Sequence, residues 1–290
     1  MQIAWVGTGI MGASMAGHLL RAGHALRVHT RTRARADELV EGGAVWCDTP
    51  AETARGADVC CLMVGYPADV EAVVLGPGGI LEGTEAGALL IDFTTSSPDL
   101  AQRIANEARQ RQVAALDAPV SGGDVGARNA TLSIMVGGEP AAFARAEPLL
   151  QALGRTVVLQ GPSGMGQHTK MVNQVLIATN MIGVCEGLLY ARRVGLDPET
   201  VLRSVGGGAA ASWSLDNMLP RILKDDLEPG FVVEHFVKDM DIALEECARM
   251  GLNLPGLQLA RDLYGQLEEL GGGKRGTQAL VLALDALNKR

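Results

Sequence analysis

The sequence carries no excess of positive charge: 25 Lys and Arg stand against 33 Asp and Glu over 290 residues, a net charge of −8. A general binder of nucleic acid or of an anionic membrane shows a basic patch, so that class is set aside, and an anionic ligand must find local positive charge. Cysteine is also scarce. Cys47, Cys60, Cys61, Cys185 and Cys247 are odd in number and form neither a C-x-x-C pair nor a Cys/His cluster. That excludes a disulfide framework and gives no metal site, and the expectation is buried thiols in a reducing cytoplasm. An apolar leader is missing as well: Gln2 to Val6 reads at once as a strand, so no signal peptide is expected. The one long apolar run, 168–193, is interrupted by Lys170, Asn173, Asn180 and Glu186 and is not read as a membrane span. Aromatic residues make up only 3%, and there is no repeat or low-complexity tract. What remains, 47% hydrophobic with 20% charged residues and 37 glycines, is a soluble globular composition, long enough for one large domain or two ordinary ones.

The first apolar run leads into Gly7-Thr8-Gly9-Ile10-Met11-Gly12, then a helical pattern from Ala13 to Ala22, Gly23, and a second strand from Ala25 to His29. In this strand, glycine turn, helix order, Gly7 permits the tight turn, Gly9 lets a pyrophosphate approach the backbone, and Gly12 lets helix and strand pack closely. The phosphates then sit on the helix N-terminus, beside Ile10 and Met11. An acidic residue at the end of the second strand would hold a ribose 2′-hydroxyl, and none is there. The chain reads His29-Thr30-Arg31-Thr32-Arg33 instead. Arg31 can pair bidentately with a 2′-phosphate and Thr32 or Arg33 can add donors, with Thr30 beside them, which favours NADP(H) while leaving NAD(H) possible. The alternative is that these arginines only solvate a helix start.

Strands and helices alternate from there to about Leu159, which implies a mostly parallel sheet with helices on both faces and ligand at the carboxyl ends of the strands. Val64 ends one apolar strand and joins the cofactor-binding candidates. Two other strand ends carry chemistry: Asp92-Phe93-Thr94-Thr95-Ser96-Ser97, and Asp117-Ala118-Pro119-Val120-Ser121-Gly122-Gly123. Ser121 with Gly122 and Gly123 offers a hydroxyl and open backbone N–H groups for a carboxylate; a plain turn with a helix cap is the alternative.

Gly161 to Gly166 then introduces an apolar helix from His168 to Arg193, roughly 39 Å long at about 1.5 Å per residue. Its apolar residues fall on nearly every face, so it is expected to be buried. Lys170 lies near its start, with Asn173 and Gln174 three and four residues on and therefore on the same side. Beyond it the pattern is helical throughout, with stretches at about 212–223, 233–250, 255–270 and 277–288. The expected organisation is an α/β Rossmann-type doubly wound domain at 1–162, an inter-domain helix at 163–193 and an all-helical domain at 194–290.

Together these pieces resemble the β-hydroxyacid dehydrogenase family, the group of 3-hydroxyisobutyrate dehydrogenase and tartronate semialdehyde reductase (2-hydroxy-3-oxopropionate reductase). The matching motifs are Gly7 to Gly12, Asp117 to Gly123, Gly164-Met165-Gly166-Gln167-His168-Thr169-Lys170-Met171-Val172-Asn173-Gln174, and Lys238-Asp239. The resemblance implies hydride transfer between a nicotinamide and a small β-hydroxyacid or semialdehyde. Lys170 matches the catalytic lysine, Ser121, Gly122 and Gly123 the substrate-carboxylate loop, Thr95 a residue near both cofactor and substrate, and Lys238 a lysine beside the cofactor. The family asparagine four residues after the lysine is Gln174 here, with Asn173 before it, so either amide is a candidate to touch substrate. The resemblance also implies a homodimer or homotetramer through the C-terminal domain. Imine reductases share the glycine motif but commonly have another residue type where Lys170 stands. 6-Phosphogluconate dehydrogenase needs more basic residues and a larger helical domain, and a non-catalytic dinucleotide-binding scaffold would not need Lys170. Trp213 is a candidate for the pocket wall that separates one carboxylate substrate from another, succinic semialdehyde and glyoxylate included.

Overall fold

The computed structural model describes residues 1–289; Arg290, the last residue of the expected helical domain, lies outside the described residues. The chain divides into two compact units, Met1–Lys170 and Met171–Arg290, so the division falls inside the long helix rather than at either of its ends.

In the first unit β1 (Gln2–Val6), α1 (Ile10–Arg21), β2 (Ala25–His29), α2 (Asp37–Glu41), β3 (Val45–Trp46), α3 (Pro50–Ala54), β4 (Val59–Leu62), α4 (Pro67–Leu75), α5 (Ile80–Gly83) and β5 (Leu89–Asp92) follow one another. Then come α6 (Pro98–Gln110), β6 (Ala114–Asp117), β7 (Val120–Ser121), α7 (Gly123–Arg128), β8 (Leu132–Gly137), α8 (Pro140–Gln151) and β9 (Gly154–Gly161). The sheet order is β3-β2-β1-β4-β5-β6-β8-β7, with β9 paired to β8. Neighbours from β3 through β6 are parallel. β8 runs antiparallel to β6 and β7, which the alternating pattern alone did not reveal. Chain order reverses between β1 and β4, the topological switch point where a doubly wound sheet opens a crevice for ligand.

Alternation along the buried strands builds two cores. Ile3 and Trp5 of β1 face the same side as Met15 and Leu19 of α1, with Leu149 and Leu150 of α8 in the same cluster. Ala4 and Val6 face the other side, with Val70 and Val74 of α4 and Leu100 and Ile104 of α6. Both faces of the sheet are thereby covered, as a parallel sheet requires.

The second unit is built from α9 (Met165–Arg193), whose first turns through Lys170 count with the first unit, then α10 (Pro198–Val205), α11 (Trp213–Leu223), α12 (Val233–Met250), α13 (Pro255–Glu269) and α14 (Leu280–Asn288). The boundaries follow local chemistry. Asp197 accepts the Thr200 N–H at 3.0 Å and Ser212 accepts the Leu215 N–H at 3.0 Å, each satisfying a free donor at a helix start. Gly251, at φ 66°, closes α12 in the left-handed conformation.

One expectation for α9 is corrected. Met181, Val184, Cys185 and Leu188 are buried in the core of the second unit, but Val172, Leu176 and Tyr190 are exposed at 60%, 58% and 70%. The neighbouring helices cover only part of its circumference, and an apolar stripe at helical spacing is left outside. By length and composition α9 could cross a membrane; its buried residues serve instead as the core of a helical unit.

The same core holds Phe236 against Tyr264, ring centroids 5.1 Å apart and edge to face. The fully buried Tyr264 donates its hydroxyl to the Thr277 carbonyl at 2.8 Å. Tyr264→Phe keeps the packing and removes this bond while the Leu280 N–H still reaches the carbonyl, so it is expected to cost about 0.5–1.5 kcal/mol. A urea titration should show a lower midpoint at unchanged slope; an unchanged midpoint would mean that the hydroxyl contributes nothing.

Candidate active site

The glycine turn sits between β1 and α1 at the switch point. Gly7 has φ 95° and its N–H donates to His29 O at 2.8 Å, while Trp5 Nε1 donates to Gly7 O at 2.9 Å. A Cβ on Gly12 would overlap Gly7 O, so helix and turn meet with no room for a side chain. Gly9 is different: its φ is −69°, and an added Cβ would meet nothing within 4 Å. The start of α1 has no side-chain cap, leaving the N–H groups of its first turn available, and the buried Thr8 hydroxyl has no hydrogen-bond partner. Open space above Gly9, uncapped N–H groups and an unsatisfied hydroxyl fit the pyrophosphate of a dinucleotide.

At the end of β2, Thr30 is half-buried while Arg31 and Thr32 are exposed. Arg31 Nη1 lies 3.3 Å from Asp69 Oδ1, a carboxylate in the first turn of α4 that sequence reasoning did not pair with it. Arg33 lies over the Trp46 ring at 5.5 Å, a cation–π contact. The loops after β4 and β5 are tied together, with the Val64 N–H donating to Thr94 Oγ1 at 3.0 Å and the Thr94 N–H to Asp92 Oδ1 at 2.8 Å. Thr95 is half-buried in the middle of that loop. Ser121 ends the short strand β7, and Gly122 and Gly123 (φ 132° and 62°) take backbone conformations that favour glycine as the chain turns into α7.

Lys170 is 6% exposed, so its ammonium is not simply bathed in water at a helix end. The helix that carries it starts at the carboxyl ends of β5 and β6. Asp117, the last residue of β6, accepts the N–H of Gly164 at 2.7 Å and of Gln167 at 2.9 Å. Burial pushes the Asp117 carboxyl above its usual range, and these backbone donors pull it partway back.

In the second unit Asn173 donates its amide to Gln174 Oε1 at 2.7 Å, and Gln174 donates to Asp239 Oδ2 at 2.6 Å. Lys238 Nζ pairs with Asp239 Oδ1 at 2.9 Å. Three of the expected residues are therefore joined through Asp239, a buried carboxylate that had been noted only as the neighbour of Lys238. Gln174 is fully buried and engaged at both ends of its amide, whereas Asn173 is half-buried. His235, one turn before Asp239, is pushed below its usual pKa by burial and then by the Lys238 charge, which favours the neutral ring. Trp213 is 64% exposed at the start of α11.

A family model described as the NAD-binding domain of 6-phosphogluconate dehydrogenase matches residues 2–161. A second, described as NAD-binding of NADP-dependent 3-hydroxyisobutyrate dehydrogenase, matches residues 164–284. The 2-hydroxy-3-oxopropionate reductase of Escherichia coli is 38% identical over 99% of this chain and 98% of its own length. This chain belongs to the β-hydroxyacid dehydrogenase family. Another relative in that family is the Arabidopsis thaliana protein named probable 3-hydroxyisobutyrate dehydrogenase-like 1, 49% identical over 99% of this chain and 86% of its own. The structure of Mycobacterium tuberculosis 3-hydroxyisobutyrate dehydrogenase with L-serine matches with a TM-score of 0.90 at 28% identity, covering 98% of both chains. Membership in the β-hydroxyacid dehydrogenases makes the chain an oxidoreductase with a nicotinamide-cofactor fold in its N-terminal unit.

Beyond Asp239, sequence reasoning gave no site role to Asp69 or Gln167. Asp69 had no sequence signal, since it lies 38 residues from Arg31. The glycine turn of this dehydrogenase yields a paired test. Gly12→Ala forces a methyl into Gly7 O and should lower the melting temperature by several degrees, whereas Gly9→Ala should melt like the parent yet lose dinucleotide affinity at least about tenfold. A Gly9→Ala protein that binds NADPH as tightly as the parent would place the pyrophosphate elsewhere.

Proposed function

We propose that this chain reduces a small semialdehyde bearing a carboxylate, or oxidises the matching β-hydroxyacid, with Lys170 as the general acid/base. The bound nicotinamide supplies or takes up the hydride at the carbonyl carbon. Ser121 with the N–H groups of Gly122 and Gly123 receives the substrate carboxylate, Thr95 lies beside the reacting carbon, and Lys170 gives its proton to the developing alkoxide. Asn173 is the amide that touches substrate, because Gln174 is committed to Asp239. Ile10 and Met11 line the phosphate turn, Val64 borders the cofactor, and Lys238 stands beside it.

The observation that carries this reading is a lysine 6% exposed on a helix whose first turn is pinned to the strand ends where a doubly wound sheet takes its ligand. An ordinary lysine has a pKa of about 10.4, so at pH 7 only about one in 2,500 is deprotonated. Reduction, which uses the ammonium, meets no such cost. NADP(H) is the preferred cofactor in this reading, supported by Arg31 and by the absence of an acidic residue at the end of β2. Tartronate semialdehyde and methylmalonate semialdehyde lead the substrate classes, ahead of succinic semialdehyde and glyoxylate.

Absorbance at 340 nm with NADPH or NADH against these aldehydes tests the reading. NADPH oxidation should be faster than NADH oxidation with at least one of them. Lys170→Ala should lose at least about 100-fold in kcat while still binding NADPH, and retained turnover would remove Lys170 from the chemistry.

The same reading includes a homo-oligomer through the helical unit. The exposed stripe of α9 is symmetric about Gly183, so two copies crossing antiparallel on a two-fold axis set Val172 against Val194 and Leu176 against Tyr190. Gly183 and Gly187, where an added Cβ meets nothing within 4 Å, lie at or near the crossing. Leu176→Glu should shift sedimentation from dimer or tetramer towards monomer; an unchanged assembly would move the interface off this stripe.

A further inference from the structure

The proposed chemistry requires Lys170 to stand at a set distance from the reacting carbon, and a buried side chain with no assigned role ties the same helix turn to a neighbouring loop. Gln167 lies one helical turn before Lys170, on the same side of α9, and is fully buried. Its amide bridges the loop after β5: the Ser96 N–H donates to Gln167 Oε1 at 2.9 Å, and Gln167 Nε2 donates to Thr94 O at 2.8 Å. The two partners are opposite in kind, one donor and one acceptor, so an amide in this orientation satisfies both where an ionised carboxylate or an apolar side chain does not.

The fork holds more than a loop. Thr95, between its two partners, is the threonine of the proposed reaction centre. Thr94 Oγ1 in turn accepts the Val64 N–H, which brings the loop after β4 into the same network. On the helix side, Asp117 accepts the Gln167 and Gly164 N–H groups. A Cβ on Gly166 would lie 2.5 Å from Met135 O and 2.6 Å from Asp117 O, so the first turn rests on strand backbone with no slack. Asp117 thus fixes where the helix starts. Gln167 fixes its distance from the Thr94–Ser96 loop.

We propose that Gln167 is a positioning residue: its amide clamps the first turn of α9 to the Thr94–Ser96 loop and so sets Lys170 against the carbon that exchanges hydride. This rests on the role proposed for Lys170. Losing the clamp lets the proton donor drift while the glycine turn, the cofactor's anchor, is untouched. Misplacement by about 1 Å costs on the order of 100-fold in rate. The loss therefore falls mainly on kcat, and the KM for NADPH, anchored at the glycine turn, changes less.

The test compares Gln167→Ala and Gln167→Glu with the parent and with Lys170→Ala. Hydrogen exchange of the amides at 94–97 and 164–170 is read alongside kcat per NADPH-binding site. Gln167→Ala should exchange faster in both segments and lose roughly 10- to 100-fold in kcat, with KM for NADPH within about twofold of the parent. Gln167→Glu keeps the acceptor for Ser96 but, when ionised, turns an oxygen towards Thr94 O. A protonated carboxyl restores the donor. Relative to the parent, Gln167→Glu should therefore recover turnover as the pH falls from about 8 to about 5.5, because burial raises a carboxyl's pKa, whereas Gln167→Ala should not.

Unchanged exchange in Gln167→Ala would overturn the clamp whatever Lys170 does. Parent-like kcat per binding site in Gln167→Ala, or no acid recovery in Gln167→Glu, would overturn the positioning role. If Lys170→Ala retains turnover while exchange rises in Gln167→Ala, the lysine assignment fails and the positioning role fails with it, but the clamp itself stands.

Discussion

The carboxylate of Asp117 is the constraint on which the first unit turns. It lies at the end of a central strand, 4% exposed, and accepts two N–H groups that the start of α9 would otherwise leave unpaired. A buried carboxylate is costly unless it is hydrogen-bonded, and free N–H groups at a buried helix end are costly too; each removes the other's penalty. The pairing joins sheet to helix at the strand ends where ligand is expected. Gly137 and Gly166 exist beside it because a Cβ on either would run into Asp117.

Much of this could be read from the residues. The glycine turn, the alternation of strand and helix and the helices at 213–223, 233–250 and 255–269 rest on local signals: a proline at a helix start, a capping Asp or Ser, a glycine at the end. Two helix starts were placed three residues late, α1 at Ala13 instead of Ile10 and α9 at His168 instead of Met165, for one shared reason. Gly12 and Gly166 look like loop residues, yet they belong to first turns that backbone elsewhere in the chain leaves no room to decorate. Close approach of this kind is a tertiary fact and leaves only a glycine in the sequence.

The candidate site was legible at its chemical ends and not in its supports. Lys170, Ser121 and the glycines stand in recognisable motifs. Gln167 and Asp239 act through partners 71 and 65 residues away, and no periodicity points to such pairs. The exposed stripe of α9 is a related case: apolar residues all round a helix read as full burial, but sequence pattern does not say how much of the circumference the neighbouring helices cover.

The pairing of Arg31 with Asp69 bears on cofactor choice by its magnitude. Arg31 is 86% exposed, and an exposed ion pair of this kind contributes about 0–1 kcal/mol. A 2′-phosphate brings close to two negative charges and several acceptor oxygens, and bidentate pairing with a guanidinium is stronger than a single contact at 3.3 Å. Asp69 therefore holds Arg31 near the end of β2 without holding it back. The same exposure limits what Arg31 gains, because salt screens charges in water over roughly 8–10 Å. A preference for a 2′-phosphorylated cofactor resting on Arg31 would therefore weaken as the ionic strength rises.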